Sequence, residues 1–242
     1  MGLSISGPQW AMWRQGWRRA MAALLPQDCL LCGASSGDAL LCADCTASLP
    51  RLPAALCPVC ALPTHGGAIC GACLKRAPHF DATLACFVYA FPVDRLVQQL
   101  KFAHRLAIAD FFARALLERN LPRADLIVPV PLSARRLGER GFNQAAEIAK
   151  VLARESGIAL GLEVGRRTLE APPQSTLPWK ERQKNVRGAF DCGAELSGKV
   201  LLVVDDVMTT GATLGEFARV LKDHGATQVI ACVAARAVKG SH

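Results

Sequence analysis

Eight of the eleven cysteines stand in four Cys-x-x-Cys pairs: Cys29/Cys32, Cys42/Cys45, Cys57/Cys60 and Cys70/Cys73. Each pair can turn two sulfurs to one side, and two such turns make a tetrahedral four-thiolate site for zinc. The arrangement is duplicated. Cys29, Cys32, Cys42 and Cys45 recur 28 positions later as Cys57, Cys60, Cys70 and Cys73, with nine residues between the pairs in both halves. A repeat that carries a whole ligand set favours two sequential sites, one in each half. A cross-braced arrangement would instead join the first pair to the third. A closed four-cysteine site keeps no open position, so its role is structural. The segment has few large apolar residues, and metal would supply most of its folding free energy. His65 is read as a loop residue, and Cys86 and Cys232, in strand-like runs, as buried apolar residues.

A second group of residues lies near the C-terminus: Leu201-Leu202-Val203-Val204, then Asp205-Asp206, then Val207-Met208 and Thr209-Thr210-Gly211-Ala212-Thr213. Four aliphatics form a buried strand. Two adjacent carboxylates at its carboxyl end can accept hydrogen bonds from vicinal hydroxyls, as on a ribose. The Thr-Gly loop then turns into a helix whose N-terminal N–H groups and positive dipole end suit a phosphate. Ligands of doubly wound sheets sit at this edge. Together these features predict a site for a ribose 5-phosphate. It is not a Walker loop, because no Gly-Lys-Ser/Thr follows.

The elements that must position these groups are legible from periodicity. Strands are expected at Thr83–Ala90, Asp125–Pro131, Val200–Val204 and Gln228–Ala234, and helices at Val93–Arg119, Asn143–Glu155 with Gly157 as a stop, and Thr213–Asp223. Alternating strands and helices imply an α/β fold with a mostly parallel sheet and flanking helices. Three segments follow: a leader helix over 1–28, a double zinc ribbon over 29–76, and an α/β domain over 80–242. The leader carries Trp10, Trp13 and Trp17 at helical spacing with Arg14, Arg18 and Arg19. A stripe packed on the main domain is favoured over a membrane-surface helix. Residues 163–190 are basic and aperiodic.

The chain has 242 residues, about half of them apolar, and a net charge of +8. That balance suits an anionic partner, either a phosphorylated metabolite or nucleic acid. No apolar run reaches the ~18 residues that span a bilayer. The N-terminus has no signal-peptide pattern, and a cytoplasmic location is expected. Thiols paired in this way in a reduced compartment read as metal ligands rather than disulfides.

The segment around Asp205–Thr213 resembles the signature of type I phosphoribosyltransferases. The remainder resembles the ComF family of competence proteins, which join a zinc ribbon to such a domain. The motifs are the cysteine module, LKF at 100–102, PVPL at 129–132, RGFNQ at 140–144, and the run from Arg182 through Asn185, Val186, Arg187 and Phe190. Ser133 departs from the His that many members carry after PVPL. The resemblance implies phosphoribosyl pyrophosphate as ligand. Asp205 and Asp206 would meet the ribose hydroxyls directly or through Mg²⁺. Thr209, Thr210, Gly211, Ala212 and Thr213 would bind the 5-phosphate. The turn after Pro131, with Arg140, would face the pyrophosphate, and Arg182 and Lys184 would lie on a mobile catalytic loop. It also implies a role in transformation, which brings in single-stranded DNA and DNA-translocation proteins as partners. Three readings follow: a transferase, a single-strand-binding factor, or a sensor of phosphoribosyl pyrophosphate without turnover. Arg135, Arg136, Arg166 and Arg167 are read as solvated surface, and Lys101 as either a site residue or a snorkelling side chain.

Overall fold

The computed structural model describes residues 27–169 and 186–238. Almost all of the expected leader helix, together with Arg182 and Lys184, lies outside them. The chain divides into two compact units, residues 1–49 and 50–242. No helix among the described residues is long and apolar enough to cross a membrane.

In the first unit, β1 (Gln27–Asp28) pairs antiparallel with β2 (Ser35–Gly37), and α1 (Ala43–Ala47) follows. Cys42 caps α1, its Sγ accepting from the Cys45 N–H at 3.5 Å. Cys29 donates its N–H to the Ala34 carbonyl at 2.7 Å, which closes the first Cys-x-x-Cys turn.

The second unit starts with the second cysteine repeat, which ends in α2 (Gly71–Lys75). Then come β3 (Ala82–Val88), α3 (Val93–Phe102), α4 (Ala107–Leu117), β4 (Leu126–Pro129), α5 (Ala134–Arg140), α6 (Gln144–Ser156), β5 (Ala159–Leu160), β6 (Gly165–Arg167), β7 (Phe190–Cys192), β8 (Val200–Met208), α7 (Ala212–Asp223) and β9 (Gln228–Arg236). Five strands form one parallel sheet in the order β3-β9-β8-β4-β5. The central pair β8–β9 is almost uniformly aliphatic because both faces are covered. Leu201 and Val203 face α7, where Leu214, Phe217, Ala218 and Leu221 complete one core. Leu202 and Val204 point to the opposite face, and α4 packs against α6 outside that core. β6 and β7 form a separate antiparallel hairpin.

The second cysteine repeat is part of this core, since Cys57, Cys60 and Cys73 are buried among its residues. It is also tied to the sheet by backbone bonds. Leu52 N–H donates to the Cys86 carbonyl (3.2 Å), Val88 N–H to the Pro50 carbonyl (2.7 Å), and Thr83 Oγ1 to the Val59 carbonyl (2.6 Å). The boundary between the two compact units falls at 49/50, between the two repeats.

Several elements differ from their expected limits. The single helix expected over Val93–Arg119 is two helices. It breaks at Ala103–Leu106, where His104 takes a positive φ of 54° and its ring bonds the Arg140 carbonyl at 2.9 Å. β8 runs on to Met208, so Asp205 and Asp206 sit inside the end of the strand and not beyond it. Gly157 ends α6 in the left-handed region (φ 74°), as its position after the last apolar turn predicts.

Candidate functional site

Two groups of residues carry chemistry. The first is the cysteines. Cys29, Cys32, Cys42 and Cys45 converge in one quartet and Cys57, Cys60, Cys70 and Cys73 in another, all sulfurs of a quartet within 4.8 Å of one another. The sequential arrangement is thus the one the fold adopts. A zinc tetrahedron with Zn–S near 2.3 Å has edges of about 3.8 Å. Cys32 Sγ lies 3.8 Å from Cys42 Sγ, and Cys60 Sγ lies 3.5 Å from Cys70 Sγ. Their electrostatics also suit a cation. Burial works to raise Cys57, but N–H groups of Cys70, Cys60 and Val59 outweigh it and draw the thiol down to about 7. Burial and its thiol neighbours push Cys73 up instead. Four thiolates cannot ionise together this closely without a positive centre, and zinc fits the donor set. His65 lies in a short 3₁₀ turn outside both quartets.

The second group is at the carboxyl end of β8. Asp206 is 4% exposed, and Lys101 Nζ, from the last turn of α3, lies 2.5 Å from its Oδ2. The ammonium pairs directly with that oxygen. Burial works to raise Asp206, but the Lys101 charge outweighs it and holds the carboxylate below its ordinary range. Asp205 lacks that partner. Burial first, and the negative charge of Asp206 second, push its carboxyl up to about 8. Two neighbouring acids with pKa values driven apart are a recurring feature of reactive sites.

The loop after β8 turns directly above these acids. Gly211 sits at φ 80°, so the backbone calls for glycine there, while a Cβ would only touch the Phe80 ring. Thr210 Oγ1 accepts from the Ala212 N–H at 3.0 Å and shapes the entry to α7. Asp205 and Val207 to Leu214 line one small concavity. It lies at the helix N-terminus, where unpaired N–H groups gather.

The neighbouring strand β4 ends alongside β8. Val130 N–H donates to the Val204 carbonyl (2.9 Å), which carries the pairing of β4 with β8 one residue beyond Pro129, just before Pro131. Ser133 is 4% exposed, and its Oγ accepts from the Arg136 N–H (3.4 Å) to cap α5. That is the use the fold makes of this serine. The RGFNQ run is a helix-to-helix turn. Arg140 ends α5, Gly141 is its left-handed stop (φ 71°), and Asn143 starts α6, with Nδ2 donating to the Val130 carbonyl (3.0 Å) and Oδ1 accepting from the Ala145 N–H (3.0 Å). Asn143 thereby locks the Arg140 turn to the end of β4.

The comparisons with known proteins agree with this arrangement. Residues 20–74 match the double zinc ribbon domain and residues 139–241 the phosphoribosyl transferase domain. The DNA utilization protein YhgH of Salmonella typhi is 36% identical over 198 residues, covering 78% of this chain and 87% of that protein. The chain belongs to the ComF/YhgH family. Competence protein F of Haemophilus influenzae is 32% identical over 173 residues, covering 66% of this chain and 75% of that protein. Competence protein ComFC of Bacillus subtilis is 27% identical over 207 residues, covering 78% and 80%.

Within this ComF/YhgH chain the fold gathers Asp205, Asp206, Thr209, Thr210, Gly211, Ala212, Thr213, Pro131 and Arg140 at one end of the sheet. Arg140 lies with its guanidinium 5.3 Å from the Phe102 ring, and burial lowers its pKa against the counter-pull of Asp206 and Asp205. Two cations that composition gave no reason to prefer also belong here. Lys101 is the ion-pair partner of Asp206. Arg167, at the end of β6, is half-buried, its pKa lowered by burial and by Arg136 against the charge of Asp205. The matching of Arg167 on β6 to Phe190 on β7 is long-range, so no local sequence signal marks it. Arg166, by contrast, pairs in the open with Asp191 at 3.1 Å.

Proposed function

We propose that this chain binds phosphoribosyl pyrophosphate with Mg²⁺ at the end of β8, and that it serves the uptake or handling of incoming single-stranded DNA in the cytoplasm. The observation that carries the binding reading is the union of two features on one strand-loop-helix connection. Asp205 and the Thr209–Thr213 loop border one small concavity at a helix N-terminus, and Asp206 follows Asp205 on the same strand. The loop and helix end suit the 5-phosphate. The carboxylates suit ribose hydroxyls, or a divalent cation. Mg²⁺ bound there would neutralise the pyrophosphate. Arg140 and Arg167 would hold further anionic oxygens, and Lys101 would fix Asp206 in its ionised form. Departure of pyrophosphate from the ribose needs charge neutralisation at the leaving oxygens, which these cations supply.

The DNA role is supported by the relatives, named as DNA utilization and competence proteins. One surface observation favours direct contact with single strands. Phe102 is 69% exposed with Arg140 stacked on it, and the His104 and Phe142 rings lie 5.3 Å apart beside them. Bases stack on such platforms and phosphates meet the cation.

Thermal unfolding of the zinc-loaded protein tests the binding reading. Ribose 5-phosphate alone should raise the melting temperature, and phosphoribosyl pyrophosphate with Mg²⁺ should raise it further. At 100 times Kd the gain is about 2.7 kcal/mol. No shift with either ligand in a folded, metal-loaded protein would refute the proposal.

A further inference from the structure

We propose that Arg236 is a positioning residue that couples the second four-cysteine site to the phosphate loop, so that metal at one and a phosphate ester at the other strengthen each other. The inference rests on the anion-site reading above. Arg236 ends β9 and is 3% exposed, which is rare for a cation without several partners. Its Nε donates to the Cys60 carbonyl at 2.8 Å. Its Nη1 donates to the carbonyls of Met208 and Ala237, both at 2.9 Å, and to that of Thr209. Cys60 belongs to the Cys57–Cys60 turn of the second quartet. Met208 is the last residue of β8, and Thr209 is the first of the Thr209–Thr213 loop. One guanidinium therefore holds the backbone of a metal-binding turn and the backbone of the phosphate loop.

Three features make this a coupling and not only a contact. The guanidinium is planar, so fixing Nε on Cys60 fixes the direction in which Nη1 meets the loop. The charge of Arg236 faces Cys60, Cys70 and Cys73, which as thiolates around zinc carry net negative charge. And a cavity of about 270 Å³ opens between the cysteine side (Cys60, Cys73) and the loop side (Thr210, Gly211, Gly215). The guanidinium thus spans a gap that packing leaves open. A metal that holds the Cys57–Cys60 turn in place holds Arg236, and Arg236 holds Met208 and Thr209 where the loop must turn. An occupied loop returns the effect, because coupling between two binding sites is reciprocal.

The experiment uses the full zinc-loaded chain. Equilibrium competition against a chromogenic chelator measures the affinities of the two zinc ions with and without saturating ribose 5-phosphate. The affinity of one ion should rise about tenfold, within the usual range for such coupling, while the other stays unchanged. Arg236→Met should weaken ribose 5-phosphate binding by a similar factor, still hold two zinc ions at saturating metal, and lose the effect of the ligand on zinc affinity. A merely structural arginine would weaken binding without abolishing that reciprocal response. If Arg236→Met does not fold, the competition measurement on the unmodified chain decides alone. Ribose 5-phosphate that binds the unmodified chain but leaves both zinc affinities unchanged overturns the coupling. Ribose 5-phosphate that does not bind at all overturns the anion-site reading, and the coupling with it.

Discussion

Lys101→Met should destabilise the second unit through a charge left behind, not through lost packing. The Lys101 and Asp206 side chains are 21% and 6% exposed, and they meet at 2.5 Å. Breaking a buried pair by removing one partner costs about 3–5 kcal/mol, because the other charge stays buried and unpaired. Lys101 retains some contact with water, so the lower end, about 3 kcal/mol, is expected. Asp206 can relieve part of this cost by keeping a proton. Its folded pKa would then lie above its unfolded value, and the folded state would hold more protons in the window between. Stability of the variant should therefore fall as pH rises through that window. Urea unfolding followed by circular dichroism at pH 5.5 and pH 8 is the assay. Lys101→Met should show the larger deficit at pH 8, and adding Asp206→Asn should recover at least half of it. A variant within about 0.5 kcal/mol of the parent at both pH values would refute the reasoning, since surface changes alone stay in that range. So would a double variant as unstable as Lys101→Met.

Three further outcomes follow from the same geometry. Asp205 has a folded pKa of about 8 against an ordinary 3.8, so without bound cation the parent should lose stability as pH rises from 4 through 8. Asp205→Asn should gain in melting temperature relative to the parent as pH increases from 5 to 8.5, and a difference independent of pH would contradict the assignment. Gly211→Val places a β-branched residue at φ 80° against Phe80. It should cost about 1–2 kcal/mol of stability and abolish ribose 5-phosphate binding, as calorimetry would show. Finally, Cys57→Ser with Cys60→Ser should unfold the second unit, whose core includes both residues. Cys29→Ser with Cys32→Ser should remove one zinc ion and leave the melting of residues 50–242 unchanged. Metal analysis and calorimetry on both variants check this, and equal destabilisation by the two changes would count against the 49/50 boundary.

What could be read from the sequence was what is local or strictly periodic. The two cysteine quartets follow from a repeat whose ligands lie within 17 consecutive positions in each half, Cys29–Cys45 and Cys57–Cys73. The strand-loop-helix at 201–213 follows from an aliphatic run, two acids and a Thr-Gly turn. What escaped depends on residues far apart in the chain. Lys101 reaches Asp206 across 105 positions, and neither residue type distinguishes an ion-pair partner from a snorkelling lysine. Arg167 gains its place only because β6 pairs with β7, beyond the basic aperiodic stretch. The break of the expected long helix at His104 leaves no periodic trace, since apolar residues continue on both sides. At the break the His104 ring meets the Arg140 carbonyl, 36 residues away. The tie between the second repeat and the sheet is likewise made by long-range backbone bonds and by Arg236, which periodicity reads only as the end of a strand.

Calorimetric titration of the zinc-loaded protein with phosphoribosyl pyrophosphate, with and without Mg²⁺, tests the central claim most directly. The account predicts one binding event per chain that is strengthened by Mg²⁺ and lost when Asp205→Asn is combined with Asp206→Asn. The double variant should still melt cooperatively and carry its zinc. Absence of binding heat in the unmodified protein, or undiminished binding in the double variant, would contradict it.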